Sequence, residues 1–180
     1  FLLNKSGTLT AACGAMLRLV GDRDNLIIPI FMTLFAIGGT TFGMYEETYA
    51  LIPAFIIIAM TLGYDRIVGG AIVFVGVATG FAAATTNPFT IGVAAGVAGV
   101  PLTEPKVLIF RIAAFVAFLV LVIAYTMAYA SKIKKDPTKS IVYGLPQEET
   151  KHLKAKDEIL NMPFTGRQKI AMVGFAALII

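Results

Sequence analysis

Three long apolar stretches, separated by short charged segments, dominate the chain. Residues 26–62 carry two charged side chains, residues 67–103 carry none and residues 107–131 carry one. A hydrocarbon core of about 30 Å requires about 20 apolar residues in a helix, so each stretch is long enough to lie within a membrane. The pattern predicts an all-α, polytopic membrane protein in which residues 107–131 form a transmembrane helix.

Composition and side-chain chemistry further restrict the class of protein to which the chain can belong. Hydrophobic residues make up 57% of the chain and charged residues 14%, which excludes a water-soluble domain of this size. The apolar stretches contain no His or Cys, and they place no Ser or Asp near their glutamates. The sequence therefore indicates no enzyme, and it contains no nucleic-acid-binding motif.

The basic residues predict which side of the membrane each segment faces. Nine of the fifteen Lys and Arg residues lie between Lys132 and Lys169. Because short loops rich in Lys and Arg stay in the cytoplasm, residues 132–167 are expected to form a cytoplasmic linker. Arg66 marks a second cytoplasmic flank, and the nearly neutral loop around Pro101 is expected to face outside.

The stretch 67–103 must contain a break. As one straight helix it would be about 55 Å long, far more than the hydrocarbon core. Pro88 lacks an N–H group, and it disfavours the helical conformation of the preceding Asn87. We therefore predict a broken helix that stops near Thr86 and restarts near Phe89.

Polar residues around this break are candidates for contact with a substrate or an ion. Carbonyl groups freed at positions 83 and 84 could coordinate a cation, and the N–H groups that open the second half-helix could receive a carboxylate. A proline kink stabilised by neighbouring helices is the alternative. The candidates are Thr85, Thr86, Asn87, Pro88 and Thr90.

A second candidate site is the polar sequence GGTTFGMYEET at residues 38–48. It is either the tip of a re-entrant hairpin over 26–62 or an extracellular turn between two short spans. Arms of about 14–18 residues are short for full spans, which favours re-entry. Thr40 and Thr41 would then present hydroxyl groups at the tip.

Two glutamates in the same sequence extend this second site. On the re-entrant interpretation Glu46 and Glu47 are intramembrane carboxylates, which are candidate cation ligands, proton carriers or counter-charges. On the alternative interpretation they lie at the water interface and cap a helix.

Four weaker features complete the sequence predictions. The first 25 residues are expected to form an interfacial helix, and residues 168–180 are expected to begin a further transmembrane helix of a fragment. The pairs Gly76 with Gly80 and Gly92 with Gly96 have the spacing of close helix packing. Arg111 is expected to extend to the lipid headgroups rather than bind a ligand.

Four sequences carry a family resemblance: GGTTFGMYEET, LGYDRIVGGAIV, GFAAATTNPFTIGVAAGVAGVPL and YASKIKKDPTKS. Residues 1–145 resemble the C4-dicarboxylate anaerobic carrier (DcuC) family, in its YfcC-like branch within the ion transporter superfamily. The resemblance implies two inverted repeats, each with a re-entrant hairpin and a broken helix that meet at a substrate site. Residues 1–131 would be the first repeat, and the second would lie beyond residue 180.

The resemblance also implies a function. We expect a secondary active transporter of a small carboxylate or amino acid, of the C4-dicarboxylate type, with many spans in the bacterial cytoplasmic (inner) membrane. Related branches exchange basic amino acids, which Glu46 and Glu47 would suit, so an arginine and ornithine antiporter stays open, as does an ion channel. The expected partners are the solute, the lipid bilayer, a coupling Na⁺ or H⁺ in place of a cofactor, and, as an open alternative, a second copy of the chain.

Overall fold

The computed structural model describes residues 24–145, 165–168 and 170. These residues form helices and turns without any β-strand, which confirms the all-α prediction for this part of the chain. The predicted interfacial helix in the first 25 residues lies almost entirely outside the described residues. The same holds for the helix predicted at 168–180.

The described residues contain five α-helices in a simple order. Among them only Pro105–Lys135 is long and apolar enough to cross a membrane by itself, while Ile27–Thr41, Arg66–Ala82 and the helical segment Pro88–Ala98 are shorter apolar helices. Three 3-10 helices, Asp24–Leu26, Glu46–Leu51 and Pro137–Lys139, and a π-helical turn, Pro88–Gly92, complete the order. The α-helices are α1 Ile27–Thr41, α2 Ile52–Thr61, α3 Arg66–Ala82, α4 Val93–Ala98 and α5 Pro105–Lys135.

Helices α1 and α2 are the two arms of a hairpin. The Phe55 ring on α2 lies edge-on to the rings of Phe31 and Phe35 on α1, with centroid distances of 4.7 and 5.4 Å. At the open end, the Tyr64 hydroxyl donates a hydrogen bond of 2.9 Å to the Asn25 side chain. The chain therefore returns to the level at which the hairpin began.

Helix α3 packs closely against both arms through its glycines. A Cβ at Gly76 would lie 3.2 Å from the Cα of Met32, and a Cβ at Gly80 would overlap the backbone of Ala36. The prediction that Gly76 and Gly80 serve helix packing is thus confirmed. The second predicted pair finds no support, because a Cβ at Gly96 would meet no described atom within 4 Å.

Helix α5 runs back along α3 and brings the basic flanks to one end. Near its C-terminal end the Tyr129 hydroxyl donates a hydrogen bond of 2.7 Å to Asp65, which caps the N-terminus of α3. The basic residue that follows this cap, Arg66, therefore lies at the same end as the lysines that close α5. This placement agrees with the sidedness expected from the charge pattern.

The first residues after α5 fold back onto this basic end. The Ser140 hydroxyl donates a hydrogen bond of 2.6 Å to the same oxygen of Asp65 that Tyr129 contacts. Hydrogen bonds from Thr138, and then the contact with Lys139, lower the pKa of the exposed Asp136 carboxyl that opens this turn. The start of the predicted linker is therefore attached to the helices by a defined contact.

Candidate functional site at the hairpin tip

The helix that begins at Arg66 is interrupted before Pro88, as the sequence predicts. It ends at Ala82, four residues earlier than the predicted stop near Thr86, and helical structure resumes at Pro88. The difference has a physical cause: the N–H groups that would have continued the helix bond to the tip of the hairpin instead. We call residues 83–87 the helix break.

The carbonyl oxygen of Thr40, one residue before the end of α1, collects these N–H groups. It accepts hydrogen bonds from the backbone of Thr85, Thr86 and Asn87 at 3.1, 3.1 and 3.0 Å. Backbone donors freed from a helix need a partner when they are buried, and here one oxygen satisfies three of them. The hairpin tip thereby terminates the first half of the broken helix.

The Thr40 side chain adds a second set of contacts. Its hydroxyl donates to the Ala83 carbonyl at 2.8 Å and accepts from the Thr85 N–H at 3.0 Å, and the Thr85 hydroxyl donates back to the Thr40 carbonyl at 3.1 Å. Thr40 and Thr85 are both buried. The Ala83 carbonyl, predicted to be free for a cation, is therefore already occupied by a hydroxyl group.

Asn87 joins the break to the hairpin from the other side. Its amide donates a hydrogen bond of 2.8 Å to the Gly39 carbonyl, and its side-chain oxygen accepts from the N–H groups of Phe89 and Thr90 at 2.8 and 3.3 Å. The side chain is fully buried. Two N–H groups predicted to receive a carboxylate are therefore capped by Asn87, in the manner expected of an N-cap residue.

The turn between the arms is shaped to fit against Asn87. Gly43 has a φ of +73°, a conformation that side chains other than glycine rarely adopt. A Cβ at this position would also lie 2.7 Å from the side-chain oxygen of Asn87. Both constraints select glycine at this point of the tip.

The remaining predicted threonines surround this buried core of the site. The Thr41 hydroxyl donates to the Ile37 carbonyl of its own helix at 2.6 Å, and the Thr86 hydroxyl makes a long contact of 3.4 Å with the Thr41 carbonyl. The hydroxyl oxygen of Thr90 is buried and has no hydrogen-bond partner among the described residues. Among the described residues of the predicted site, Thr90 is thus the one whose side chain has a buried polar atom without a hydrogen-bond partner.

The two glutamates do not enter the network. Glu46 and Glu47 are exposed and lie in the first turn of the 3-10 helix that follows the tip. The Glu47 carboxylate accepts a hydrogen bond of 3.2 Å from the Tyr45 N–H. The expectation of buried acids is therefore not met in the described residues.

The side chain of Arg111 makes hydrogen bonds within the protein. Its guanidinium donates through Nη1 to the Leu102 carbonyl at 2.9 Å and to the Thr85 carbonyl at 3.4 Å. Arg111 therefore joins α5 to the helix break. The sequence already indicated an unusual role for Arg111, because it is the single charged residue in its apolar stretch.

A cavity of about 410 Å³ lies beside this arginine. Its walls are formed by residues 81–84, which include the end of α3 and the start of the helix break, by Thr90 with its helical neighbours, and by the first turns of α5. Apart from Thr90 and Arg111, the lining side chains are apolar. Among the described residues, no group of His, Cys, Asp and Glu side chains has the arrangement of a metal site.

Comparison with known proteins identifies the family. Residues 1–180 match the family described as C4-dicarboxylate anaerobic carrier, DcuC. The chain belongs to this family. The resemblance carried by the tip and break sequences is thereby confirmed.

Two curated relatives match nearly the full length of the chain. An "Uncharacterized protein" of Haemophilus influenzae is 32% identical over 97% of this chain, and the "Putative basic amino acid antiporter YfcC" of Escherichia coli K12 is 31% identical over 99%. In both cases the match covers 34% of the relative, so the chain spans about a third of their length. No solved structure matches the chain.

Proposed function

We propose that the full-length protein is a secondary active transporter of a small carboxylate or amino acid across the bacterial cytoplasmic membrane. In this proposal the hairpin tip, residues 38–45, and the helix break line the path of the solute. The observation that carries the proposal is the hydrogen-bond network between Thr40, Thr85 and Asn87, which holds irregular polar backbone inside an apolar helical unit.

Helix lengths support a re-entrant hairpin. Helix α1 has 15 residues, which corresponds to about 22 Å at 1.5 Å per residue and falls short of a hydrocarbon core of about 30 Å. Non-helical backbone at membrane depth is tolerated only where protein buries it or where it lines a cavity. The tip and the break bury each other's backbone through hydrogen bonds, and Ala83 and Ala84 of the break also line the cavity beside Arg111.

The same contacts indicate how a transport cycle would use this unit. The tip is bound to the break through backbone and side-chain hydrogen bonds, and α3 packs tightly on both arms. The hairpin and the broken helix would therefore move as one body against the rest of the transporter during alternating access. Predicted contacts with the solute or a coupling Na⁺ or H⁺ fall to residues at the edge of the network, foremost Thr41, Thr86 and Thr90.

Two substrate classes have specific support. The family description supports a C4-dicarboxylate. The name of the Escherichia coli relative supports exchange of basic amino acids, and so does the exposure of Glu46 and Glu47 next to the tip. We therefore propose that the transporter recognises the carboxylate group, which both substrate classes share.

Counterflow with the full-length protein in proteoliposomes tests the proposed function. Vesicles preloaded with succinate, with arginine or with ornithine are diluted into the corresponding labelled solute, and accumulation is followed over time. We expect saturable accumulation in at least one of these experiments. A flux that does not saturate and that carries current without a counter-solute would instead identify a channel, and no flux with any solute would overturn the proposal.

A further inference from the structure

We infer that Arg111 and Thr90 form the binding site for the carboxylate group of the transported solute, in the cavity between the helix break and α5. The inference rests on the proposed function and adds a charged residue that the predicted site did not contain. It assigns a role to Arg111, which is the only charged side chain among the described residues that border the cavity.

The charge on Arg111 has no protein counter-charge in the described part of the chain. None of the carboxylates described lies within 4.0 Å of its guanidinium, and its hydrogen bonds go to two backbone carbonyls through one nitrogen, Nη1. A positive charge within an apolar span is costly, and such residues pair with an anion or mark a solute path. Arg111 therefore lacks a negatively charged partner among the described residues, and an anionic solute could supply one.

The chemistry of the group favours a carboxylate. A guanidinium has five N–H donors in a planar fork that matches the two oxygens of a carboxylate. The contacts with Leu102 and Thr85 occupy donors on Nη1 and hold the group against the break, while Nε and Nη2 make no described hydrogen bond. A single positive charge, with no other charged side chain among the described lining residues, balances one carboxylate better than it balances a doubly charged phosphate.

Thr90 supplies the second polar contact. Its hydroxyl oxygen is buried without a partner, although a buried hydroxyl in a native structure is normally hydrogen-bonded. Thr90 and Arg111 line the same cavity of about 410 Å³, which lies within the range of about 300–1,000 Å³ that is usual for small-molecule sites. A carboxylate bound to Arg111 would give this hydroxyl an acceptor.

Binding measurements on the purified full-length protein test the inference with matched solute pairs. Arginine is compared with agmatine, which lacks only the carboxylate, and succinate is compared with succinamide. The variants are Arg111→Gln, Arg111→Lys, Thr90→Val and Thr90→Ser. Lys106→Gln is the control, because it removes the same charge from an exposed position five residues earlier on α5.

We expect Arg111→Gln to weaken binding of the carboxylate solute at least tenfold, as the loss of a charge-assisted hydrogen-bonded pair implies. Thr90→Val should weaken it about threefold to tenfold, while Thr90→Ser and Lys106→Gln should leave it within about twofold of the original protein. Arg111→Lys should fall between the original protein and Arg111→Gln, because it keeps the charge but loses the fork. The solute without a carboxylate should bind weakly to all proteins and equally to each.

Three results would overturn the inference. One is unchanged carboxylate affinity in Arg111→Gln, and another is an equal loss for the carboxylate and its amide or amine analogue, which would make Arg111 only a support for the break. The third is no carboxylate binding by the original protein. If Arg111→Gln does not fold, the affinity of Thr90→Val for the carboxylate solute is compared with that of Thr90→Ser. Equal affinities would then overturn the inference.

The transport assay separates this inference from the proposed function. Carboxylate binding that depends on Arg111, without any exchange in proteoliposomes, would support the site and overturn the transporter. Exchange that is unchanged in Arg111→Gln would support the transporter and overturn the site.

Discussion

Thr40 takes the place of a missing helical hydrogen bond at Asn87. In a continuous helix the Asn87 N–H would bond to the Ala83 carbonyl, four residues earlier. Instead, the Thr40 carbonyl accepts the Asn87 N–H at 3.0 Å, and the Thr40 hydroxyl donates to the Ala83 carbonyl at 2.8 Å. One residue of the hairpin thus satisfies both ends of the interrupted bond, which explains how the break persists in an apolar environment.

The first prediction concerns the hydroxyl of Thr40. Thr40→Val keeps the shape of the side chain but leaves the buried Ala83 carbonyl and the Thr85 N–H without this partner. We expect the free energy of unfolding to fall by about 1–3 kcal/mol, measured by denaturant titration of the full-length protein in detergent. Thr40→Ser keeps the hydroxyl and should retain most of the free energy of unfolding.

Thr61→Val is the matched control for this prediction. The Thr61 hydroxyl bonds only to carbonyls of its own helix, at Ile57 and Ile58, which remain within the helical ladder without it. Its substitution should change stability by less than about 0.5 kcal/mol. Equal effects of the two valine substitutions would show that the contacts of Thr40 across the break contribute no more to the free energy of unfolding than a hydrogen bond within one helix.

The second prediction compares two glycines of α3. A Cβ at Gly80 would overlap the Ala36 carbonyl and lie 2.7 Å from the Thr40 nitrogen, whereas a Cβ at Gly70 would meet nothing within 4 Å. Gly80→Ala should therefore destabilise the protein by about 1–3 kcal/mol through forced separation of the helices. Gly70→Ala should be neutral or should stabilise it by up to about 1 kcal/mol, as expected for alanine in a helix.

The apparent melting temperatures of the two variants, measured side by side, check this prediction. A similar melting temperature for Gly80→Ala and Gly70→Ala would contradict the close packing of α1 on α3. Because transport would require the same packing, counterflow should also be lost only in Gly80→Ala.

The third prediction separates the two roles of Asn87. Asn87→Asp keeps an oxygen for the N–H groups of Phe89 and Thr90 but loses the donor to the Gly39 carbonyl, and Asn87→Ala loses both. We expect Asn87→Ala to abolish counterflow while the protein still inserts into the membrane, and Asn87→Asp to retain the second half-helix without activity. Insertion is checked by membrane fractionation and size-exclusion chromatography, and normal uptake by Asn87→Ala would rule out the site.

Local sequence rules predicted the break but not its partner. Pro88 and Asn87 disfavour a helix by their own covalent structure, so the interruption could be placed to within a few residues. The bonds from Thr40 to the break join positions about 45 residues apart, and no local pattern specifies which tip meets which break. The shorter α3 follows from those bonds, which is why its end was predicted too late.

The same limit applies to the charged residues. The single arginine of an apolar stretch was visible in the sequence, but its direction depends on where the carbonyls of Leu102 and Thr85 lie after folding. Glu46 and Glu47 were assigned to the site because a re-entrant hairpin would make them intramembrane carboxylates. Folding places them in an exposed helical turn next to the tip rather than inside it.

The fourth prediction concerns the opposite end of the fold. Asp65 accepts hydrogen bonds from Tyr129 and Ser140 at 2.7 and 2.6 Å, and it also caps α3 through the Val68 N–H. Ser140→Ala should release the start of the linker without unfolding the helices, because it removes one bond to a charged acceptor worth about 1.5–3 kcal/mol. Hydrogen exchange should increase in residues 137–145 and stay unchanged in α3.

Thr138→Val controls for general loosening of the same turn. The Thr138 hydroxyl bonds to its neighbour Asp136 rather than to the helices. Its substitution should leave hydrogen exchange at 141–145 nearly unchanged. Should both variants raise the exchange equally, the contact between Ser140 and Asp65 would not be what holds the linker.

The fifth prediction uses Glu46 and Glu47 to decide between the two substrate classes. Both side chains are exposed and outside the network of the tip, so Glu46→Gln with Glu47→Gln should leave the melting temperature unchanged. If they attract a cationic solute, the double variant should raise the KM for arginine severalfold, and the effect should shrink as salt screens the charges. Succinate uptake should be unaffected or slightly improved, because removing negative charge near the path lowers repulsion of a dianion. A double variant that transports arginine normally at low salt would exclude these carboxylates as charge partners and leave Arg111 as the charged residue at the proposed solute path.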